Sequence, residues 1–131
     1  MLTSLHARWA ADSGLSALLP AARLFTGLAA GSPAAPYAVL HRRRTVPETQ
    51  TSAGVTIARS RIEVELWGDD LDVLEEIAGE VQRVFDGSSF PLAVGNVLAM
   101  RSADRSQSVA DDATWRLTLQ YDVLTQQPTG K

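Results

Sequence analysis

Two periodicities meet between Arg61 and Phe85, and together they fix most of what this chain can become. From Arg61 to Leu66 the residues alternate strictly, with Ile62, Val64 and Leu66 on one side and Arg61, Glu63 and Glu65 on the other. That is the period of a half-buried strand. From Leu71 the spacing becomes helical: Leu71, Leu74, Ile77, Ala78, Val81, Val84 and Phe85 form one apolar stripe, opposite Glu75, Glu76, Glu80, Gln82 and Arg83. Asp69 reads as the N-cap, Asp70 and Asp72 favour the positive end of the helix dipole, and Gly87 suits the C-terminal stop. The pattern predicts an amphipathic helix docked on a sheet, not a bundle helix that is apolar all round.

The flanking segments extend this plan. Leu2, Leu5 and Trp9 follow helical spacing, with Thr3 or Ser4 as cap residues. Gly14 weakens that helix, and Leu15, Leu18 and Leu19 add a short apolar turn that Pro20 stops. A short strand is expected at Arg23 to Leu28, then a loop of small residues from Gly27 to Pro36. Tyr37 to Val46 reads as a strand, the polar run Pro47 to Gly54 as a loop, and Val55 to Trp67 as the return strand. This is a long hairpin whose tip leaves the body. Leu92 to Met100 is a strand weakened by Gly95, Ser102 to Asp112 a polar stretch, and Trp115 to Val123 a final strand with Trp115, Leu117, Leu119, Tyr121 and Val123 on one face. Met1, Leu2 and the tail Gln126 to Lys131 are expected to be disordered. The order argues for one α+β domain over residues 1–131: a mostly antiparallel or mixed sheet of four to five strands, two helices on one face and a projecting hairpin.

Chemistry is thinly represented. With 131 residues, 45% of them apolar and 21% charged, the chain has ordinary globular usage for one core. Its net charge of −3 gives no overall pull toward nucleic acid or anionic membrane. Cysteine is absent, which removes disulfides, thiolate ligands and a cysteine nucleophile. No run approaches the roughly 18 apolar residues of a membrane span, and His6, Arg8 and Asp12 interrupt any hydrophobic signal core. A soluble cytoplasmic protein is expected. His6 and His41 lie outside any metal-ligand spacing, and no P-loop, dinucleotide fingerprint or nucleophile elbow is present. The Gly31 to Pro36 stretch has no lysine, and its prolines remove amide donors. The carboxylates Asp69, Asp70, Asp72, Glu75 and Glu76 are better explained by capping and a solvated face than by a divalent ion. No cofactor, metal or catalytic residue is expected.

The local charge anomaly is His41-Arg42-Arg43-Arg44. On a strand, His41 and Arg43 share one face, Arg42 and Arg44 the other. If the first pair continues the face of Tyr37 and Val39, Arg43 needs a carboxylate partner or must leave the sheet body. A solvated strand end, a contact with an acidic protein neighbour and a nucleic-acid contact all fit the run. Trp115 shares the core face. Trp67 is out of phase with Ile62, Val64 and Leu66, which puts it on the second face, where an apolar patch would mark a subunit contact.

Three segments together resemble the tail-completion, or tail-terminator, family of long-tailed phages, prophages and gene-transfer particles: RLFTGLAAGSPAAPYAVLHR (Arg23 to Arg42), ARSRIEVELWGDDLDVLEEIAGEVQRVFDG (Ala58 to Gly87) and WRLTLQYDVLT (Trp115 to Thr125). The resemblance spans nearly the whole chain in the expected order. It implies a structural, non-enzymatic virion component in the tail, assembled in the bacterial host cytoplasm. It further implies a homo-oligomeric ring, six-membered on assembly, that caps the tail tube and meets the tube protein and the head-connector protein. A connector or neck subunit is the runner-up, and a small-molecule- or nucleic-acid-binding α+β domain is the alternative from another class. No membrane and no sequence-specific nucleic acid are implied. A ring needs two different patches on each subunit. The candidates are Arg42, Arg43, Arg44 and Glu48 at the hairpin with Trp67, against the acidic helix residues Glu75, Glu76 and Glu80.

Overall fold

The structure is a computed structural model that describes residues 1–27, 35–50, 54–92, 94–109 and 114–128, with backbone alone for 44–50. In chain order the elements are α1 (Leu2–Ala11), α2 (Ser13–Leu18), a 3-10 turn (Ala21–Arg23), β1 (Leu24–Thr26), β2 (Tyr37–Gln50), β3 (Val55–Gly68), α3 (Leu71–Phe85), β4 (Phe90–Pro91), β5 (Asn96–Val109) and β6 (Trp115–Pro128). The strands form one sheet of six in the order β1-β2-β3-β6-β5-β4. β1 pairs with β2 in parallel, and every other neighbouring pair is antiparallel. The fold class is α+β with a mixed sheet, but the described residues form six strands and three α-helices instead of the four to five strands and two helices expected.

All three helices contribute to a single core on one face of the sheet. Leu5 and Trp9 of α1, Leu15 of α2 and Leu74, Ile77, Ala78, Val81 and Phe85 of α3 pack against Leu40, Ile62, Val64, Leu66, Leu117, Leu119, Tyr121 and Val123. The alternation of β3 and β6 thus buries one side of each strand, as the period-two pattern requires. Trp9 and Phe85 sit with ring centroids 6.4 Å apart, and Trp9 Nε1–H donates to the Leu19 carbonyl at 2.8 Å. The indole thereby buries its body without leaving its donor unpaired. Asp12 caps α2 by accepting from Leu15 N at 2.8 Å and accepts from Arg83 Nη2 at 2.5 Å, tying the N-terminal helices to α3. The Leu15 amide and then the Arg83 guanidinium hold the Asp12 carboxyl below its ordinary value.

Several boundaries differ from the sequence expectation. Asp70, not Asp69, caps α3: its Oδ1 accepts from Asp72 N at 2.9 Å. The polar run after Pro47 is mostly strand, because Pro47, Thr49 and Gln50 pair with Ala58, Ile57 and Thr56. β2 runs to Gln50 and β3 begins at Val55, and residues 51–53 between them lie outside the described ones. Likewise the polar stretch from Ser102 is strand as far as Val109, the second half of β5 paired with Tyr121 to Trp115, and residues 110–112 lie outside the described ones. Backbone pairing along β6 holds this segment, while its side chains stay exposed. Gln126, Gln127 and Pro128, read as tail, pair with Ile57, Thr56 and Val55, and residues 129–131 lie outside the described ones. At the other end, Leu2 opens α1 and packs against the core with Met1. The hairpin is flanked along its whole β3 side by β6. From Val55 to Arg59 no residue is fully buried, so this end of the sheet runs past the core.

Candidate interaction face

Among the described residues the helices leave the other face of the sheet uncovered, and the middle rows of that face are built mostly from polar side chains. Three strands supply it in register: His41 and Arg43 from β2, Arg61, Glu63, Glu65 and Trp67 from β3, and Arg116, Thr118, Gln120 and Asp122 from β6. Each alternates with a core residue, so the same period that builds the core also collects the charges.

The charges connect into a chain across the strands. Arg43 Nε donates to Glu63 Oε1 at 2.7 Å, and Gln120 Nε2 donates to Glu63 Oε2 at 2.8 Å. Arg61 Nη1 donates to Gln120 Oε1 at 3.0 Å, while its Nε donates to Asp122 Oδ1 at 2.9 Å. Beside this chain, His41 Nε2 lies 3.0 Å from Glu65 Oε1, and Arg116 Nη1 is 4.0 Å from Glu65 Oε2. Burial raises the Glu63 carboxyl, but the bonds from Arg43 and Gln120 outweigh it and hold the group below its ordinary value. The same bond to Glu63 raises Arg43.

At the end of the face farthest from the hairpin tip the surface turns aromatic. Tyr37 and Trp67 stack at 6.1 Å and 7°, Phe25 meets Tyr37 edge-on at 6.1 Å, and the Arg116 guanidinium lies 5.5 Å over Trp67. Trp67 therefore occupies the second face, as its phase indicated, and is half-buried by these neighbours.

The remaining candidates divide. Arg42 and Glu76 are exposed. Glu75 is bonded to Arg105 and Glu80 to Arg83 within the chain, so two of the three acidic positions on α3 already have cationic partners. The side chains of Arg44 and Glu48 lie outside the described residues, as does most of the Gly31 to Pro36 stretch. Among the described residues no three His, Asp or Glu side chains are grouped to hold a metal ion. The Asp69–Glu76 carboxylates instead cap and flank α3. The cavities are small or open: one of about 210 Å³ between Ala35, Pro36 and the start of α3, another of about 420 Å³ along Ser89–Pro91 and Asn96–Leu98. Neither combines depth with the few convergent polar groups of a ligand site.

A chain with this fold and this polar face is matched, over residues 3–126, by the profile of the family described as Tail completion protein gp17. The chain belongs to that family. Its role is accordingly that of a structural protein of phage tails, a component of virion assembly that works in contact with other virion proteins. A chain from the solved virion of a native gene transfer agent (GTA) particle superposes with a TM-score of 0.81 over 93% of this chain and 91% of that one, at 15% identity. At that identity the likeness shows the fold. No curated protein sequence matches the chain.

Sequence reasoning singled out the arginine run but missed Arg61, Glu63, Gln120 and Asp122 as a connected set. The signal was present in the alternation of β3 and β6. What it lacked was the pairing register, which sets Arg61 against Asp122 and Glu63 against Gln120.

Proposed function

We propose that the protein acts as a single-domain subunit of a six-membered ring that closes the end of the tail tube and presents a surface to the head connector. The observation that carries this reading is the pair of unlike, open sheet edges. β1 covers β2 only from Ala38 to Leu40, and β4 covers β5 only at Asn96 and Val97. Gly87 N–H donates to the Met100 carbonyl and Ser102 N–H to Asp86 Oδ1, so among the described residues one edge offers β2 beyond His41 and the other offers β5 beyond Ser102. Unpaired edges of this length are ready templates for another strand.

Strand direction supports joining the two. β2, β3, β6 and β5 alternate in direction across the sheet. A copy rotated about an axis along the strands keeps its directions, so its β2 would meet the neighbour's β5 antiparallel. Heterologous contacts of this kind close into rings. Six copies contributing four long strands each would give about 24 strands, beyond the roughly 16–18 that already leave an aqueous channel in a closed barrel. The work is mechanical, with no bond chemistry, and assembly takes place in the bacterial host cytoplasm against the tube and connector proteins.

The proposed subunit contacts comprise Arg42, Arg43, Arg44 and Glu48 on the β2 side with Trp67, and Glu75, Glu76 and Glu80 on α3. Because Arg43, Glu75 and Glu80 already have partners within the chain, Arg42 and Glu76 are, among the described side chains, the charged candidates left to steer a neighbour. Light scattering over a wide concentration range, with negative-stain images, tests the ring. A hexamer-sized species with a central hole is expected. A single R42E or E76R exchange should shift the association midpoint, and the double exchange should recover it. Unchanged masses in all three variants would overturn the charge-steered contact, and a monomer even on supplied tail tubes would overturn the ring.

A further inference from the structure

The two edges of the sheet are stepped, and the steps are complementary. One row across the sheet reads Arg42, Ile62, Tyr121, Ser102. β1 covers β2 at Ala38 to Leu40, on the side of this row where β5 ends and β6 begins. β4 covers β5 at Asn96 and Val97, on the side where β2 ends and β3 begins. Among the described residues the uncovered halves of the two edges therefore lie at opposite ends of the sheet. A neighbour placed level with its partner would bring β1 and β4 into the joint.

Backbone bonds show which residues face outward. The Leu40 carbonyl accepts from Gly27 N–H, the Met100 carbonyl accepts from Gly87 N–H, and Ser102 N–H donates to Asp86 Oδ1. Antiparallel alternation, carried through the register shifts after Arg42 and Ser102, turns the backbone of Arg42, Thr45 and Pro47 outward from β2. It likewise turns Arg105, Gln107 and Val109 outward from β5. With Arg42 opposite Val109, Thr45 opposite Gln107 and Pro47 opposite Arg105, outward groups meet outward groups, and the helix-bearing faces stay on one side. Pro47 has no N–H to give, and the Arg105 N–H it would face is already donated to Asp104 Oδ1 at 2.7 Å. Arg42 then reaches the helix-bearing side of the neighbouring β5, where Arg105 is bonded to Glu75.

We propose that this register joins neighbouring copies and turns the polar face toward the channel. The proposal rests on the ring reading above. Within one chain Arg42 is level with Ser102; in the joint it is level with Val109. Leaving out the bulged residue, the shift is about six residues, or ~20 Å at ~3.3 Å each. The four long strands span about 19 Å at ~4.8 Å spacing, so closing the ring leans them by about 45°. Closed barrels lean by roughly 35–45°.

The hand of the lean decides which face is inside. Let β3 point up with the helices toward the viewer. A right-handed crossover from β3 through α3 to β5 then sets β5 on the right. The uncovered half of β2 is at lower left and that of β5 at upper right, so the joined strands lean to the right. Seen from outside, that is the hand right-twisted strands give a closed sheet. With the polar face outside, the same joint would lean left. The helices therefore take the circumference, and Arg43, Glu63, Gln120 and Asp122 face the channel.

The chain has no cysteine, so introduced thiols report contacts without background. R42C mixed with V109C and treated with a short bis-maleimide should give cross-linked dimers, and R42C/V109C a ladder ending at the hexamer. T45C with Q107C should do the same and leaves Arg42 in place. R42C with S102C, the pair that is level in an untilted ring, should not link. For the face, S106C on the polar side of β5 and E76C on α3 carry maleimide gold in negative-stain images. Gold on S106C should lie within the central hole, and gold on E76C outside the ring. A ring in which R42C links to S102C, or in which neither designed pair links, overturns the joint alone. Gold from S106C on the circumference overturns the inward face. A chain that stays monomeric at every concentration and on supplied tail tubes overturns the ring reading itself.

Discussion

Arg43 and Glu63 meet across the β2–β3 pair at 2.7 Å, on the face that no helix covers. The bond answers the question posed by the arginine run: the member on the face of Tyr37 and Val39 stays in the sheet because β3 brings a carboxylate to it. Glu63 also accepts from Gln120, so both of its oxygens are used while its side chain is only 13% exposed.

That arrangement has a pH signature. The Glu63 carboxyl lies below its ordinary value in the folded chain, through the Arg43 and Gln120 bonds that outweigh its burial. A group shifted this way adds stability above its unfolded pKa and loses it as the pH falls through the lower, folded value. E63Q should cost about 1 kcal/mol near neutral pH, the scale of one partly exposed charged hydrogen bond. The gap should narrow as the pH falls below the ordinary glutamate range and close once it passes the lower, folded value, where the wild-type carboxyl is protonated too. Urea midpoints of both proteins at pH 7 and pH 3 would show this, and an equal gap at both values would refute it.

The start of α3 separates two adjacent aspartates. Asp70 Oδ1 accepts from Asp72 N at 2.9 Å. Among the described residues Asp69 makes no such bond. D70A should lose about 1 kcal/mol, the ordinary cost of an N-cap. D69A should stay within roughly 0.5 kcal/mol, as surface changes do. Thermal unfolding of the pair decides the cap, and equal losses would return both residues to a general dipole role.

This pair also marks what could be seen beforehand. α3, β3 and the core half of β6 were legible because Leu74, Ile77, Val81, Ile62, Val64, Leu117 and Leu119 repeat at one period over many residues. Either aspartate satisfies the composition of a cap, and only the backbone turn at Asp70 chooses between them. Ser102 to Val109 was illegible for a different reason. An edge strand exposed on both faces carries no alternation, so nothing in Ser106, Gln107 or Ser108 announces pairing with β6. The two-residue β4 is shorter than any periodicity. The polar face was half-legible: its residues could be named, but their partners depend on register.

Gly95 turns the chain into β5 with φ of +86°, a conformation that costs other residues strain. A Cβ placed there would come within 2.2 Å of the Gln126 carbonyl oxygen, which belongs to the backbone of β6 and cannot swing aside. G95A should therefore destabilise the chain by roughly 2–4 kcal/mol, more than the strain of a positive φ alone. Gly87, also at positive φ (+73°) but with open space around its Cβ position, is the control. G87A should cost only about 1 kcal/mol. Urea denaturation of both variants tests the contrast, and equal losses would show that β5 and β6 can separate to admit a methyl group.

Tyr121 is the deepest polar group on the core face. Its ring is fully buried among residues from the helices and the sheet, and among the described residues its hydroxyl has no hydrogen-bond partner. Burial, and then the charge of Asp86, push the phenol above its ordinary value. A buried hydroxyl without a partner lowers stability by the solvation it gives up, while the ring that bears it contributes packing. Removing the oxygen alone should then be neutral or favourable. Y121F is expected to gain up to about 1 kcal/mol, a rise of roughly 3–5 °C in Tm for a chain of this size. Its alkaline absorbance titration in the native state should match wild type over the ordinary phenol range, because burial holds the Tyr121 phenol above it. A loss of more than about 1 kcal/mol in Y121F would mean that the hydroxyl is hydrogen-bonded in solution, on the scale at which such bonds contribute.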